Sequence, residues 1–397
     1  MRITQSFSQA QFLASLNTLQ ANVAQTQNQL STGQAFSVPA DNPAAAGTVV
    51  IYNQALAQSQ QYTANANSAQ TGLNIEGNAL SQLQSQLTSL RDLALQANSG
   101  IVSSQNLNAI ATQAQQLQGS ILSLANTQDG NGNYIFGGFA TQTQPFTATA
   151  TGAAYAGDQG QPQVQIAAGQ TVAAGDSGDA VFNQIKTGNG TFTVTAGAGN
   201  TGTGVVGATT PTVPASYAGG SYSIDFTAPN AYKVLDANNV QVAAGSYTSG
   251  QAITFGGVQV SLSGQPATGD TFAVAPSGNQ SLFTTIQNLV GAIQKAASST
   301  ANSAPLGNAV ANGLENIDRA LSHLADAQAG VGGRLNLITT QLSVATSTQA
   351  QLQKSISGLQ GLDYAAAITT LTQQNTTLSA ALQSYSLTQG LTLFKYL

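Results

Sequence analysis

The sequence predicts a multi-domain α+β protein whose long N- and C-terminal helices form a coiled-coil or helical bundle, with a β-rich outer domain inserted between them. Apolar residues recur at steps of three and four in both flanks, which is the spacing of packed helices. Of the 41 glycines, 26 lie between Gly130 and Gly278, and seven of the ten prolines lie between Pro145 and Pro276. Because glycine and proline disfavour helix interiors, the middle of the chain should form short strands and turns.

These patterns divide the chain into three predicted parts. They are an inner terminal coiled-coil layer (1–42 with 361–397), a helical bundle with a β-hairpin near 133–140 (43–140 with 281–360) and a β-rich outer domain of one or two sub-domains (141–280).

The first helix has its apolar residues in a heptad arrangement. They fall at successive steps of 4, 3, 4 and 7, at Phe12, Leu16, Leu19, Val23 and Leu30. A stripe kept at this spacing lies along one side of a helix and packs against another helix. We therefore expect these side chains to make subunit contacts.

A proline-containing segment ends the first helix, because Pro39 and Pro43 do not fit within an uninterrupted helix. Asp41 or Asn42 is expected to cap a new helix, with Pro43 at its first position.

Three long helices are predicted from the same spacing, at about 43–98, 104–127 and 305–360. Glycines at 330, 332 and 333 weaken the last helix and favour a kink there. After Gly361 another apolar stripe begins, and its members are also expected to make subunit contacts. They are Ile368, Leu371, Leu378, Leu382 and Tyr385.

The middle of the chain contains short alternating segments between glycine or proline turns, which is typical of strands. The predicted strands are 191–195, 222–226, 253–255, 258–262 and 271–274.

The composition excludes several classes of protein. Only 6% of the residues are charged and the net charge is -5, whereas an ordinary domain has about 25% charged residues. So few basic residues argue against a nucleic-acid partner. The absence of cysteine excludes disulfides and thiolate-based metal sites, and a single histidine argues against a catalytic triad. Neither a membrane-spanning stretch nor a cleaved secretory signal is expected, so the chain should be cytoplasmic or exported without one.

Four segments resemble chemical motifs but are interpreted as ordinary structure. Gly197–Gly202 matches a dinucleotide fingerprint, but no helix can follow it, so we interpret it as a loop. Asp129 begins a calcium-like loop that lacks the later ligands, which predicts a tight turn. The pair Asp176 and Asp179 is expected in a solvated loop, and His323 on a solvated helix face. We therefore predict no enzymatic activity and no catalytic, cofactor-binding or metal-binding residue.

Three stretches together resemble a known family. The first is Gln29-Leu-Ser-Thr-Gly33 followed by Pro39-Ala-Asp-Asn-Pro-Ala-Ala-Ala46, and it is similar to a signature shared by bacterial flagellins and the flagellar hook–filament junction family, hook-associated protein 3. The second is Gly132-Asn-Tyr-Ile-Phe-Gly-Gly138 with Pro145-Phe146 after it, which resembles the junction family rather than flagellins. The third is the C-terminal segment 387–397. Asn42 departs from the family, where a second Asp is common.

The resemblance implies a structural protein of the extracellular flagellum. Its terminal helices would pair as an inner layer, and the subunits would assemble into a ring with themselves. The ring would connect the hook, through hook-associated protein 1, to flagellin in the filament. The chain would be secreted unfolded by the flagellar type III apparatus, after a cytoplasmic export chaperone has bound it near the C-terminus. Membrane insertion is not implied.

The family signature around residue 135 is predicted to form a β-hairpin arm beside the helices, because adjacent glycines permit a close turn. Its residues are Tyr134, Ile135, Phe136, Gly137 and Gly138. Ordinary core packing of the aromatic side chains remains open, and the two interpretations are compatible.

Two alternative functions remain. The chain could be a flagellin itself, which the signature around residue 135 disfavours. It could also be a secreted glycan-binding β-domain protein, for which the support is four tyrosines in the strand-rich zone: Tyr217, Tyr222, Tyr232 and Tyr247. Finally, the junction interpretation predicts that most of the 23 charged residues lie at the exposed rim, away from the helical stripes.

Overall fold

The computed structural model describes residues 2–99, 102–212, 216–298 and 304–390. The helices are α1 (Arg2–Thr32), α2 (Pro43–Ala97), α3 (Ser104–Ala125), α4 (Leu282–Ala297), α5 (Ala304–Gln360) and α6 (Tyr364–Gly390). The chain separates into two compact units, Met1–Ala64 with Gln341–Leu397 and Asn65–Thr340. Long terminal helices with a β-rich middle confirm the predicted fold class.

The predicted helices are confirmed close to their predicted bounds. The helix expected at 43–98 is α2, the helix expected at 104–127 is α3, and α5 covers 305–360. The predicted kink near residue 331 does not end the helix, because α5 continues through all three glycines. Glycine keeps its backbone N–H and costs only about 1 kcal/mol relative to alanine, which a helix of 57 residues tolerates.

The helical core of the second unit is built from the predicted apolar stripes. On α2 the stripe Leu80, Leu83, Leu87, Leu90, Ala94 and Ala97 is fully or almost fully buried. On α5 Ile317, Leu324 and Val331 are buried in the same way. Helix α3 packs along α4, and each begins at a serine cap, Ser103 and Ser281, whose hydroxyl accepts a backbone N–H of the first turn.

The strands are short and antiparallel. They are β1 (Phe146–Thr149), β2 (Gly152–Tyr155), β3 (Gln163–Ala167), β4 (Gln170–Ala173), β5 (Ile185–Lys186), β6 (Phe192–Ala196), β7 (Val205–Pro211), β8 (Tyr222–Ala228), β9 (Ala231–Asp236), β10 (Gln241–Ser246), β11 (Ala252–Phe255), β12 (Val258–Ser263), β13 (Thr271–Pro276) and β14 (Asn279–Gln280). All five predicted strands are present, as β6, β8, β11, β12 and β13.

Two sheets share the main β core. One has the order β10-β9-β8-β13-β6 and the other the order β11-β12-β7, and the pairs β1-β2, β3-β4 and β5-β14 lie apart from them. The core is formed by inward-facing side chains of both sheets, among them Phe192, Phe226, Val260 and Phe272. Tyr247 is buried in this core, and the other three tyrosines proposed as a glycan platform pack against it. The tyrosines therefore serve the core rather than an open aromatic face.

The predicted β-hairpin at 133–140 is wrong. Tyr134 makes a single bridge with Gln128, and the residues after it form consecutive turns. The Gly137 N–H donates to the Tyr134 carbonyl, and the Ala140 N–H donates to the Gly137 carbonyl. Because these backbone groups are paired within turns, they cannot form a ladder between two strands.

The predicted distribution of charge is only partly correct. Arg91 and Asp318 form an exposed ion pair, as expected for rim residues. Glu76 and Asp270 are buried, however, and the second unit also places the Asp176–Arg334 pair with only 16% of each side chain exposed. Asp176 is therefore not a solvated loop residue.

The buried Asp270 holds the glycine-rich loop at 197–202 in place. Its carboxylate accepts the backbone N–H groups of Thr201, Gly202 and Ala267 at 2.8–3.0 Å. The loop connects β6 to β7, and no helix follows it, which confirms the loop interpretation.

Two further motif-like residues have structural roles. Asp129 accepts the N–H groups of Asn131 and Asn133 and so forms the predicted tight turn. The predicted solvation of His323 is wrong, because its Nε2 lies 2.7 Å from the Ala180 carbonyl and the side chain is half-buried.

Candidate assembly surface

The two terminal helices pair through a continuous seam. Helix α1 turns Phe12, Leu16, Leu19, Val23 and Leu30 towards α6, and the buried members are Leu16 and Val23. The steps of 4 and 3 are completed by Thr26, which is buried at the position between Val23 and Leu30. The heptad stripe predicted on α1 therefore has the expected residues and one polar addition.

The facing stripe on α6 differs from the prediction at two positions. Its half-buried or buried residues are Ala367, Leu371, Gln374, Leu378, Ala381 and Tyr385, at steps of 4 and 3. Ile368 and Leu382 are each one residue away from this stripe and are 55% and 47% exposed. They were predicted as stripe residues because they are large and apolar, whereas the residues before them are alanines. An offset of one residue, however, turns a side chain by about 100° around the helix.

A polar pair lies in the middle of the seam. The Thr26 hydroxyl lies within hydrogen-bonding distance of two acceptors, Gln374 Oε1 at 2.9 Å and the Asn22 carbonyl at 3.0 Å. A polar pair in a coiled-coil seam fixes the register of the two helices. No apolar pattern marks these residues, so the sequence reasoning missed both.

A sharp corner joins each terminal helix to the long helix beside it. Gln34 and Gly361 form an antiparallel bridge, the Ala35 N–H donates to the Gln360 carbonyl, and the Leu362 N–H donates to the Gly33 carbonyl. Gly33 has φ +70°, which a residue with a side chain rarely adopts. The corner therefore aligns the end of α1 with the start of α6.

The signature residues around Pro39 build this corner. Asp41 Oδ2 accepts the Ser37 and Val38 N–H groups, and its Oδ1 accepts Gln25 Nε2 at 3.0 Å. Asn42 Oδ1 accepts the Ala45 N–H at 3.1 Å, so Asn42 is the cap and Pro43 the first residue of α2. Of the two predicted caps, Asn42 is therefore the one that caps α2, and Asp41 stabilises the turn that precedes the helix.

Phe36 anchors the corner from inside. It is buried with Ala46 and Val49 of α2, and Ile356 and Leu359 of α5 pack against the same cluster. The segment that leads from α1 to the two prolines is therefore held by an apolar contact as well as by its hydrogen bonds.

The second signature lies in an aromatic cluster of the other unit. The fully buried Phe136 ring lies edge-on to Phe182 at 5.2 Å, and Phe182 and Phe283 both contact Phe146 at 5.1 Å. The Tyr155 hydroxyl donates to the Phe136 carbonyl at 3.1 Å. Core packing, which the sequence left open, is the role that the structure gives to Phe136.

The glycines of this signature allow a close approach of Asp158. Gly138 has φ +70°, and a side chain there would meet the Asp158 carboxyl and carbonyl groups. The backbone N–H groups of Phe139 and Gly160 donate to Asp158 Oδ1 and hold the pKa of that carboxyl below its ordinary value. Tyr134 and Ile135 are half-buried at the entrance to this turn.

The third signature lies largely outside the described residues, which end at Gly390 and omit 391–397. In the part of the chain that the structure describes, no group of acidic, histidine or cysteine side chains is placed to hold a metal ion. The described helices also include none that is long and apolar enough to cross a membrane.

Comparisons with known proteins agree with these features. Residues 3–141 match the family described as bacterial flagellin N-terminal helical region. The flagellar hook-associated protein 3 of Escherichia coli is 32% identical over 185 residues, which are 47% of this chain and 58% of that protein. This chain therefore spans less than two thirds of the curated relatives it matches.

Solved structures cover more of the chain. The crystal structure of Xanthomonas campestris FlgL is 34% identical, covers 77% of this chain and 99% of its own, and superposes with a TM-score of 0.73. The flagellar junction protein FlgL from Legionella pneumophila is 28% identical, covers 79% and 100%, and has a TM-score of 0.71.

The paired terminal helices, the capped corner and the flagellin-type N-terminal match together define a flagellin-like protein. Within that class, the extent and identity of the match to solved FlgL structures are decisive. The chain belongs to the flagellar hook-associated protein 3 family.

Proposed function

We propose that this chain is a structural junction protein of the bacterial flagellum, which assembles as a ring and connects the hook to the flagellin filament. The carrying observation is the α1–α6 seam, which leaves Ile368 and Leu382 on the outside of the paired helices. Phe7, Leu13 and Tyr364 are exposed on the same two helices, and several large apolar side chains left exposed together are typical of surfaces that are buried in an assembly. The family relationship supports the same role.

The proposed partners are further copies of this chain within the ring, hook-associated protein 1 on the hook side and flagellin on the filament side. The chain would be secreted through the flagellar type III apparatus, after a cytoplasmic chaperone has bound it near the C-terminus. The ring and the hook contact would use the terminal helices, because these helices keep Phe7, Ile368 and Leu382 exposed outside their seam. The role is structural, without catalysis.

The test uses cells that lack this chain. They should build hooks, fail to extend filaments and release flagellin into the medium, and the full-length chain supplied in trans should restore filaments. Normal filaments in the deletion strain would contradict the junction role. High abundance of this chain along sheared filaments would instead favour the alternative that it is a flagellin.

A further inference from the structure

A buried carboxyl group of the second unit has no conventional partner. Glu76 lies on α2 and only 1% of its surface is exposed. Among the described residues, neither Glu76 oxygen has a hydrogen-bond partner of ordinary geometry, although the Asp176 backbone N–H lies near enough to act on the carboxyl group. An ionised carboxylate left in this state is costly, because burial removes its hydration without replacing it.

The group that faces Glu76 is another acid. Asp176 lies in the loop that follows β4, where a Cβ built on the preceding Gly175 would lie 3.7 Å from Glu76 Oε2, and Asp176 is the acid that acts on Glu76. Both Asp176 oxygens already have donors, since Arg334 Nη2 lies 2.5 Å from Oδ2 and Gln161 Nε2 lies 2.7 Å from Oδ1. Because both Asp176 oxygens already accept hydrogen bonds, a bond between the two acids requires Glu76 to carry the proton.

The charges around Glu76 come from two elements only. Asp176 faces it from the loop after β4, and Arg334 faces it from α5; no other charged side chain of the described residues acts on it. Burial is the largest cause that raises the pKa of Glu76, and the charge and the side-chain hydrogen bond of Asp176 raise it further. Arg334 and the Asp176 backbone N–H lower it, and together these effects bring the pKa to about 9. The positive charge of Arg334 thus compensates the negative charge of Asp176, and Glu76 remains neutral.

We propose that Glu76, Asp176 and Arg334 form a proton-dependent latch that fastens the loop after β4 to helices α2 and α5. In the closed state protonated Glu76 donates to Asp176, which the Arg334 guanidinium and the Gln161 amide hold in place. When the loop lifts, Glu76 meets water, loses its proton and has no partner to return to. Raising the pH therefore favours the open loop.

The latch has backbone reporters. The Ala174 N–H donates to the Pro162 carbonyl at 2.9 Å, and the Gly178 N–H donates to the Phe136 carbonyl at 2.9 Å. Both amides flank Asp176 and are protected only while the loop is closed. Gly178 also connects the loop to the aromatic cluster around Phe136.

The test is amide hydrogen exchange of the full-length chain, followed at Ala174 and Gly178 and corrected for the intrinsic rise of exchange with pH. Loop opening should increase by about tenfold per pH unit between the ordinary pKa of 4.5 and the folded value of about 9, and then level off. Glu76→Gln stays neutral and can still donate to Asp176, so its loop should open to the same extent at every pH. Asp326→Asn, at an exposed acid of α5, is the matched control and should keep the wild-type slope.

Two results would overturn the latch. One is a loop whose corrected opening does not change with pH in the wild-type chain, and the other is a slope that persists in Glu76→Gln. If that variant does not fold, infrared spectroscopy of the wild-type chain decides instead. A protonated carboxyl band at neutral pH that persists in Glu315→Gln supports the latch, and its absence refutes it.

Discussion

Phe12 of α1 and Tyr385 of α6 stack face to face, with ring centroids 4.9 Å apart and ring planes within 7° of parallel. The Gln9 amide also donates to the Tyr385 hydroxyl at 3.4 Å. Phe12 lies near the start of α1 and Tyr385 near the end of α6, so their contact holds the two helices together at the end far from the corner. We expect side-chain contacts between α1 and α6, such as this one, to determine how stably the two helices pair.

The stacked rings should stabilise each other beyond their separate burial. We expect Phe12→Ala and Tyr385→Ala to show a coupling of about 0.5–1.5 kcal/mol in a double-mutant cycle. The measurement is the opening free energy of α1 amides from hydrogen exchange. Gln383→Ala, at an exposed position of α6, should leave that free energy unchanged. Strictly additive losses would mean that the rings are neighbours without a shared interaction.

An aspartate introduced in the α6 seam should have a different effect from one introduced on the outer face of α6. Leu378→Asp places a carboxylate in the α1–α6 seam and should separate the two helices, seen as fast exchange in both. Ile368→Asp should leave that pairing intact and instead prevent filament formation in cells, since Ile368 faces outwards.

Gln373→Asp supplies the control, because it puts the same charge at an exposed polar position of the same helix. Cells carrying it should swim. Motility of the Ile368→Asp strain would remove the outer face of α6 from the proposed assembly surface.

The corner cap should matter through its hydrogen bond and not through its charge. Asn42→Ala should lower the free energy of unfolding by about 0.5–2 kcal/mol, because the Ala45 N–H loses its acceptor. Asn42→Asp keeps an acceptor and should stay near the wild-type value. Urea unfolding measures both, and an equal loss in the two variants would show that the cap bond contributes little.

Phe136 and Phe139 form a matched pair within one signature loop. Phe136→Ala empties a fully buried site and should cost about 3–5 kcal/mol. Phe139 is 68% exposed, so Phe139→Ala should change stability by no more than about 0.5 kcal/mol. Thermal unfolding of the two variants checks the contrast, and similar losses would contradict the core role of Phe136.

Stability should fall as the pH rises. Between pH 4.5 and about 9 the folded chain keeps the Glu76 proton that the unfolded chain has lost. The contribution of Glu76 is therefore complete below pH 4.5 and decreases by up to about 1.4 kcal/mol per pH unit until pH 9. Burial also raises the pKa of Glu315, which acts in the same direction.

The measurement is urea unfolding of wild type and Glu76→Gln across this window. The difference in unfolding free energy between them should grow steadily in favour of the variant as the pH increases, because glutamine has no proton to lose. Parallel curves would show that Glu76 is ionised in the folded chain.

Apolar periodicity located the helices well because each long stripe must be buried somewhere, whichever partner covers it. Leu80, Leu83 and Leu87 follow from spacing alone, and so does the Asn42–Pro43 start of α2, where cap and proline chemistry act locally. Strand β10 escaped prediction because its small residues leave no clear alternation, whereas β3 alternates glutamine with valine and isoleucine but over only five residues.

The sequence alone determined the helical flanks, the β-rich middle, the α1 stripe and the resemblance to the junction family, since these depend on local spacing and composition. Only the tertiary structure decided which large side chains of α6 face α1, because alanines occupy the seam positions beside Ile368 and Leu382. It also replaced the expected hairpin with turns and brought Glu76, Asp176 and Arg334 together. Those outcomes depend on residues far apart in the chain, whose burial and pairing no local pattern specifies.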